Sequence, residues 1–440
     1  MKLIFIFLIS IFFTNCSFDN KSGIWTNENI DKKKQSDLFK DFKKISLSEK
    51  KFNEIIYLDD KFKFKLKKPI KNFKWNDIYY NKNNNLHDFY YQNQNTIEFK
   101  SKKISKGEIN PFFLIDKNNL ITSDHKGNII TFALESGLID KYNFYKNEYK
   151  KVKKKLNIIV EDQVVYVSDN LGYLYAYDYS KSNVIWAKNY KVPFRSNLKI
   201  INNKLIASNQ NDQLFFFDKK NGQIIKSIPS EETTIKNEFV NNLSLDKTNL
   251  FFLNSFGSLY SIDTVSMDIK WFINLNQSFD LNPSNLFLSN QIVNTRNKVV
   301  ISSNYSTYII DSKNGNVLSK KNFSSNIRPI ILDNYIFFII KNNLLISMDL
   351  DENKILYSYN VDKLIANFLD TKKKQVKFKS FMIMNNEIFI FLENSYIINL
   401  KINGELIQLK KLPSKMNSVP INIDGSILFL DKNNKLIAVN

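Results

Sequence analysis

The stretch Asn203-Lys-Leu-Ile-Ala-Ser-Asn-Gln-Asn-Asp-Gln-Leu-Phe-Phe-Phe-Asp-Lys-Lys-Asn-Gly222 decides the fold. It holds two short apolar runs, Leu205 to Ser208 and Leu214 to Phe217, split by a polar turn near Asn211 and Asp212 and followed by Asp218 and a turn at Asn221-Gly222. Runs this short, bounded by Asn, Asp and Gly, read as paired strands. One further run lies on each side: Leu198 to Ile201 before the turn at Asn202-Asn203, and Gln223 to Ile228 after Gly222. The whole is predicted to be four antiparallel strands. Tight hairpins need left-handed backbone at the turn, which Gly and Asn supply. With only ten glycines in the chain, Asn takes much of that work.

The unit repeats. Taking the Asp218 position as reference, equivalent slots fall at Ala133, Asp178, Asp218, Asp263, Asp311, Asp349, Leu400 and Asn440, a mean spacing of about 44 residues. That lies within the ~40 to 50 residues of four-stranded propeller blades. The apolar runs Val164 to Val167, Leu250 to Leu253, Val299 to Ile301, Tyr335 to Ile340, Ile388 to Leu392 and Ile427 to Leu430 occupy equivalent positions. Gly127, Gly172, Gly222, Gly257, Gly315, Gly404 and Gly425 fall at turns. A lone blade has two apolar faces and needs a neighbour on each, which a closed ring provides. The expectation is therefore an all-β, eight-bladed β-propeller of four-stranded antiparallel blades over residues 96–440. The last unit, Val419 to Asn440, stops after its third strand. The segment Asn95 to Ile104, which alternates Ile97, Phe99 and Ser101, is expected to supply the missing one and close the ring.

Ahead of the ring, residues 1–15 carry one lysine and an apolar run from Leu3 to Phe13, too short to span a bilayer and read as a signal peptide. Cys16 is the only cysteine, so no intramolecular disulfide forms. Residues 16–51 are polar and lysine-rich and read as an anchor and flexible tether. Residues 52–95 read as a leader packing on the ring. The net charge of +20 could attract phosphates or anionic lipid heads. Because lysine is enriched everywhere, with short runs at Lys32 to Lys34, Lys151 to Lys155 and Lys372 to Lys374, the charge reads mainly as solvated loop tips. A secretion signal also takes nucleic acid out of reach, so no nucleic-acid partner is expected.

No catalytic or metal site is legible. The two histidines, His87 and His125, are far apart, and His125 reads as a turn residue. No glycine-rich phosphate loop occurs. The aspartates at 178, 218, 263, 311 and 349 recur with the repeat, so they read as turn locks accepting backbone amides, not as general acids.

The repeat resembles the PQQ-like repeat, Gly-x-Leu-Tyr-Ala-x-Asp-x-x-x-Gly-x-x-x-Trp. Compare Gly172-Tyr-Leu-Tyr-Ala-Tyr-Asp178 with Trp186, and Gly257-Ser-Leu-Tyr-Ser-Ile-Asp263 with Trp271. In other units the tryptophan slot holds Tyr357, Lys226 or Ser319. The segment Phe13-Thr-Asn-Cys16 resembles a bacterial lipobox, with Phe13 and Asn15 departing from its usual residues. That likeness implies lipidation at Cys16 and, with Ser17 following, the periplasmic face of the outer membrane. Together the repeats and the anchor resemble the BamB family of outer-membrane assembly lipoproteins. Lys74-Trp75 to His87 is similar to that family's leader, and Pro193-Phe-Arg-Ser196 to its loop that contacts the barrel-assembly subunit. The resemblance implies a non-catalytic scaffold with no cofactor, and Phe194 and Arg195 as partner contacts. Its partners would be an outer-membrane barrel-assembly protein, unfolded barrel clients, and the membrane through the lipid. An exposed aromatic beside an arginine is also common anchor chemistry at interfaces. The alternatives are a surface-binding module for anionic lipid or polysaccharide, and a PQQ-dependent quinoprotein dehydrogenase. The latter would, by family resemblance, need a vicinal cysteine pair and calcium-binding carboxylates near the ring centre.

Overall fold

The computed structural model describes residues 16–18, 25–27, 52–94, 96–231, 240–276, 287–295, 297–325, 327–372 and 374–440. The signal-peptide reading of 1–15 and the lysine run at 32–34 lie outside them, as does the side chain of Cys16. In the first fifty residues, Cys16–Phe18 pairs antiparallel with Trp25–Asn27. Lys51–Asn440 forms a separate compact unit.

That unit is an eight-bladed β-propeller. Each blade has four antiparallel strands, called a to d from the inside out. Blade 3 runs Lys199–Ile201, Lys204–Ser208, Leu214–Asp218 and Ile224–Ile228. These bounds lie within a residue or two of those expected from the turn chemistry. Strands a of the other blades are Leu114–Asp116, Leu156–Glu161, Asn242–Leu245, Val293–Asn294, Ile330–Leu332, Phe378–Met384 and Ile421–Ile423, for blades 1, 2 and 4 to 8 in turn. The apolar runs singled out above are the b strands. They are buried because both faces of a blade are covered by its neighbours, as in Ser426–Leu430. The outer d strands alternate, as in the largely exposed Asn183–Asn189.

Apolar side chains fill the junctions between blades: one continuous core runs through blades 6, 7, 8, 1 and 2, and four separate clusters fill the junctions from blade 2 round to blade 6. Tyr166, Leu174 and Ala176 of blade 2 meet Ile200, Leu205 and Phe217 of blade 3, and Val293 and Val300 of blade 5 meet Ile336 and Phe338 of blade 6. Fully burying one such side chain contributes about 1.5–3 kcal/mol, so a blade without a neighbour would lose most of its stability.

The turn aspartates behave as expected. Asp178 Oδ1 accepts the amides of Ser180 and Lys181, and Asp263 Oδ1 those of Val265 and Ser266. One reference slot shifts: in blade 7 the end of strand c is Lys401, paired with Glu387, not Leu400. There the c–d turn is one residue shorter, closing from the Lys401 amide to the Glu405 carbonyl where blade 3 closes from Asp218 to Gln223.

Ring closure follows the expected route. Ile97–Lys103 lies antiparallel to Lys435–Val439 as strand d of blade 8, with Ala438 opposite Phe99. The amides of Thr96 and Asn440 each bond the other's carbonyl. N-terminal and C-terminal segments thus share one blade.

Candidate functional site

Antiparallel order puts the a–b and c–d turns at one end of the ring axis and the b–c turns and d–a connections at the other. The a–b end is plugged by the leader. Between Asn72 and Gln92 it touches the innermost part of every blade in turn. Trp75 exchanges backbone bonds with Ile115 of blade 1, and Val160 of blade 2 donates to the Asn76 carbonyl. Leu245 of blade 4 donates to Lys82, and Asn294 of blade 5 to Asn83. Asn85 makes a two-way side-chain bond with Ile331 of blade 6. Asp88 accepts from Asn386 of blade 7, and Asn72 donates to Asn422 of blade 8. Asp88–Phe89 also joins blade 7 as a fifth, parallel strand. Strands facing an open channel would leave such groups to water, and the plug satisfies them instead.

The contact with blade 3 is ionic. Lys199 is wholly buried, and its Nζ lies 2.7 Å from Asp77 Oδ2, 3.0 Å from the Asn81 carbonyl and 2.5 Å from Asn84 Oδ1. Burial pulls the Lys199 pKa down and the Asp77 carboxylate opposes that shift. Asn84 also donates to Leu243 and Ile292.

Above the plug, the axis opens on the d–a end as a cavity of about 160 Å³. Tyr79, Trp75 and Leu86 of the leader line it together with Phe113, Arg328, Lys379 and Met382 of the ring. Arg328 Nη1 donates to the Tyr79 carbonyl at 2.7 Å, its guanidinium lies 5.5 Å from the Tyr79 ring, and Gln291 donates to the Tyr79 hydroxyl. Burial raises the Tyr79 pKa to about 12 and lowers that of Arg328 to about 10.

These residues do not fit a bound quinone. The axis is occupied by protein, and the remaining cavity is smaller than the ~300–1,000 Å³ of sites for drug-sized ligands. Cys16 is the only cysteine, so the vicinal pair is missing. Among the described residues no cluster of His, Cys, Asp and Glu could hold a metal ion. His87 packs edge-on to Tyr80, and His125 sits in the b–c turn of blade 1 with its ring near the Lys154 carbonyl.

Phe194 and Arg195 lie in the connection from blade 2 to blade 3, on the same end as the cavity mouth. Phe194 is not exposed as expected. It is 2% accessible and packs against Tyr190 and Phe217. Its bridge to Asn209 recurs as Ile109 to Asp124 and Met416 to Asp431, so its slot is a blade-junction core position. Arg195 differs. Its backbone is pinned by bonds to Ser208 and Asn241, while its half-buried side chain reaches Gln210 Oε1 at 3.4 Å. Its Nε is buried with no partner among the described residues. The same end exposes Val240, next to Asn241, and also Leu288 and Tyr305. Among the described residues no helix is long and apolar enough to cross a membrane.

A family model described as "Outer membrane protein assembly factor BamB" matches residues 157–359. No curated protein matches. Among solved structures, BamB from Moraxella catarrhalis has a TM-score of 0.60 at 12% identity, covering 78% of this chain and 99% of that one. The quinohemoprotein alcohol dehydrogenase from Comamonas testosteroni also has a TM-score of 0.60, at 10% identity, covering 83% of this chain and 80% of that one. The computationally designed Ika8 protein has a TM-score of 0.58 at 11% identity, covering 77% of this chain and 98% of that one. At these identities the structural likeness speaks for the fold alone, and enzymes and scaffolds share it.

Proposed function

We propose that this chain, a BamB-like PQQ-repeat propeller, is a non-catalytic scaffold lipoprotein that assists assembly of outer-membrane β-barrel proteins by docking to the barrel-assembly subunit. It would be anchored through lipid on Cys16 at the periplasmic face of the outer membrane, with unfolded barrel clients as a second class of partner. The observation that carries this reading is the plugged axis. Where a cofactor-bearing propeller keeps its reactive group, this chain spends its polar contacts on its own leader. What the ring offers for docking is the rigid loop surface around it.

On that surface Arg195 would be the docking residue of the pair, since its backbone is fixed and its half-buried guanidinium is held only by a 3.4 Å bond from Nη2 to Gln210. A carboxylate or carbonyl from a partner would complete it. Phe194 would act by holding the loop in shape. The test is affinity capture of the full-length protein from detergent-solubilised envelopes. A large β-barrel assembly protein should be retained by the wild type and lost with Arg195→Glu. Equal retention by the variant would remove Arg195 from the interface, and no enrichment of any barrel protein would defeat the scaffold reading.

A further inference from the structure

We infer that the cavity above the plug is a binding site for a small carboxylate with an apolar body. The carboxylate would lie toward Arg328 and Lys379, and the body against Phe113 and Met382. This goes beyond the scaffold reading and uses none of its residues.

Three observations carry the inference. The first is charge: the lining includes the guanidinium of Arg328 and the ammonium group of Lys379, and no Asp or Glu among the described residues. Asp77, which acts on Arg328, is itself engaged by Lys199, and Lys379 has no ion pair within 4 Å among the described residues, the exposed Glu393 being the acid that acts on it from further off. Two like charges in a recess of low dielectric create a local positive potential that an anion would relieve.

The second is the Ser380 hydroxyl, which lines the cavity and is buried with no hydrogen-bond partner among the described residues. Buried hydroxyls are normally satisfied, so an orphan at a cavity wall marks where a ligand acceptor belongs.

The third is preorganisation. Arg328 is fixed over the Tyr79 ring and tied to the Tyr79 carbonyl, and Tyr79 is itself held by Gln291. A held guanidinium loses little entropy on meeting a carboxylate. The rest of the wall is largely aromatic and aliphatic, including Trp75, Phe113 and Met382. An inorganic anion would leave that wall without contacts, whereas a carboxylate on a phenyl or alkyl group would cover it. The volume of about 160 Å³ limits the ligand to fragment size.

The test is isothermal titration of the full chain with 3-phenylpropionate, with its neutral isostere 3-phenylpropionamide, and with inorganic phosphate. The acid is expected to bind at a single site and the amide to bind about tenfold more weakly or worse, the effect of losing one charge-assisted hydrogen bond. Phosphate is expected to give no saturable heat. Lys379→Gln should weaken the acid several-fold, leaving the amide and the melting temperature unchanged. Ser380→Val should also weaken the acid. Arg328→Gln disturbs the Tyr79 contact and is therefore secondary to these two. Equal binding of acid and amide, saturable phosphate binding at matching strength, or no acid binding by folded wild type at millimolar concentration would each overturn the inference. So would an unchanged acid affinity in Lys379→Gln.

Discussion

The indole nitrogen of Trp186 in blade 2 donates to the backbone carbonyl of Lys219 in blade 3, at 3.0 Å. Trp271 of blade 4 makes the same bond to Ser312 of blade 5. In two blades without the tryptophan a donor is kept: the Tyr357 hydroxyl bonds the Ile402 carbonyl, and Lys226 Nζ reaches the Ser266 carbonyl and Asp268. In these four blades the slot is a donor to the c–d turn of the next blade, with or without the indole ring.

Gly222 lets that contact form. Its φ is +71°, and a Cβ there would stand 2.5 Å from the Trp186 ring. Gly222→Ala should therefore cost about 1–3 kcal/mol in urea unfolding, from the left-handed backbone and the clash together. Adding Trp186→Leu should recover part of the loss by removing the clash. Strict additivity of the two changes would show that the ring and the turn do not interact.

Lys199 and Asp77 join ring and plug in a buried site. Lys199→Ala leaves the carboxylate buried and unpaired, and should cost about 3–5 kcal/mol. The double change Lys199→Met with Asp77→Leu should recover part of that by removing both buried charges, but not all, because it leaves Asn84 Oδ1, the Asn81 carbonyl and the Tyr79 amide without these partners. Chemical denaturation of the three proteins measures both effects.

Strand d of blade 8 comes from the far end of the chain. Deleting residues 96–104 should expose the edge of Lys435–Val439 and lower the melting temperature sharply or abolish cooperative unfolding. A deletion variant with wild-type thermal stability would contradict the closure.

Burial raises the Asp88 pKa to about 6, partly offset by the Asn386 amide. The folded protein therefore holds this proton more tightly than the unfolded chain, whose aspartate titrates near about 4. Stability from this group is present below pH ~4 and is lost as pH rises to ~6. Discounted for solvent screening, the loss is about 1 kcal/mol. Asp88→Asn keeps an acceptor for Asn386, so its stability should be flatter across that window in paired melts.

The blades were legible because hairpin chemistry is local. An Asp, Asn or Gly at a turn constrains the next four residues, and the pattern repeats. Where the Asp was absent and the turn shortened, at Lys401, the register slipped by one. That the leader runs through the axis was not legible, because it has no period and its bonds join residues from 40 positions apart, as Trp75 with Ile115, to 159, as Asn84 with Leu243, and more. Phe194 was misread as exposed because its loop was considered alone. Aligning it on the fifteen-residue offset shared by Ile109 to Asp124, Phe194 to Asn209, Ser325 to Ile340 and Met416 to Asp431 shows a buried slot, apolar in three of these four blades.

A photo-crosslinking amino acid placed at position 195, with a control at position 313 on the opposite end of the ring, tests the docking account in intact envelopes most directly. The account predicts an adduct to the barrel-assembly protein from 195 and none from 313. Adducts from 313 alone, or none from either position while the protein remains folded and abundant, would contradict it.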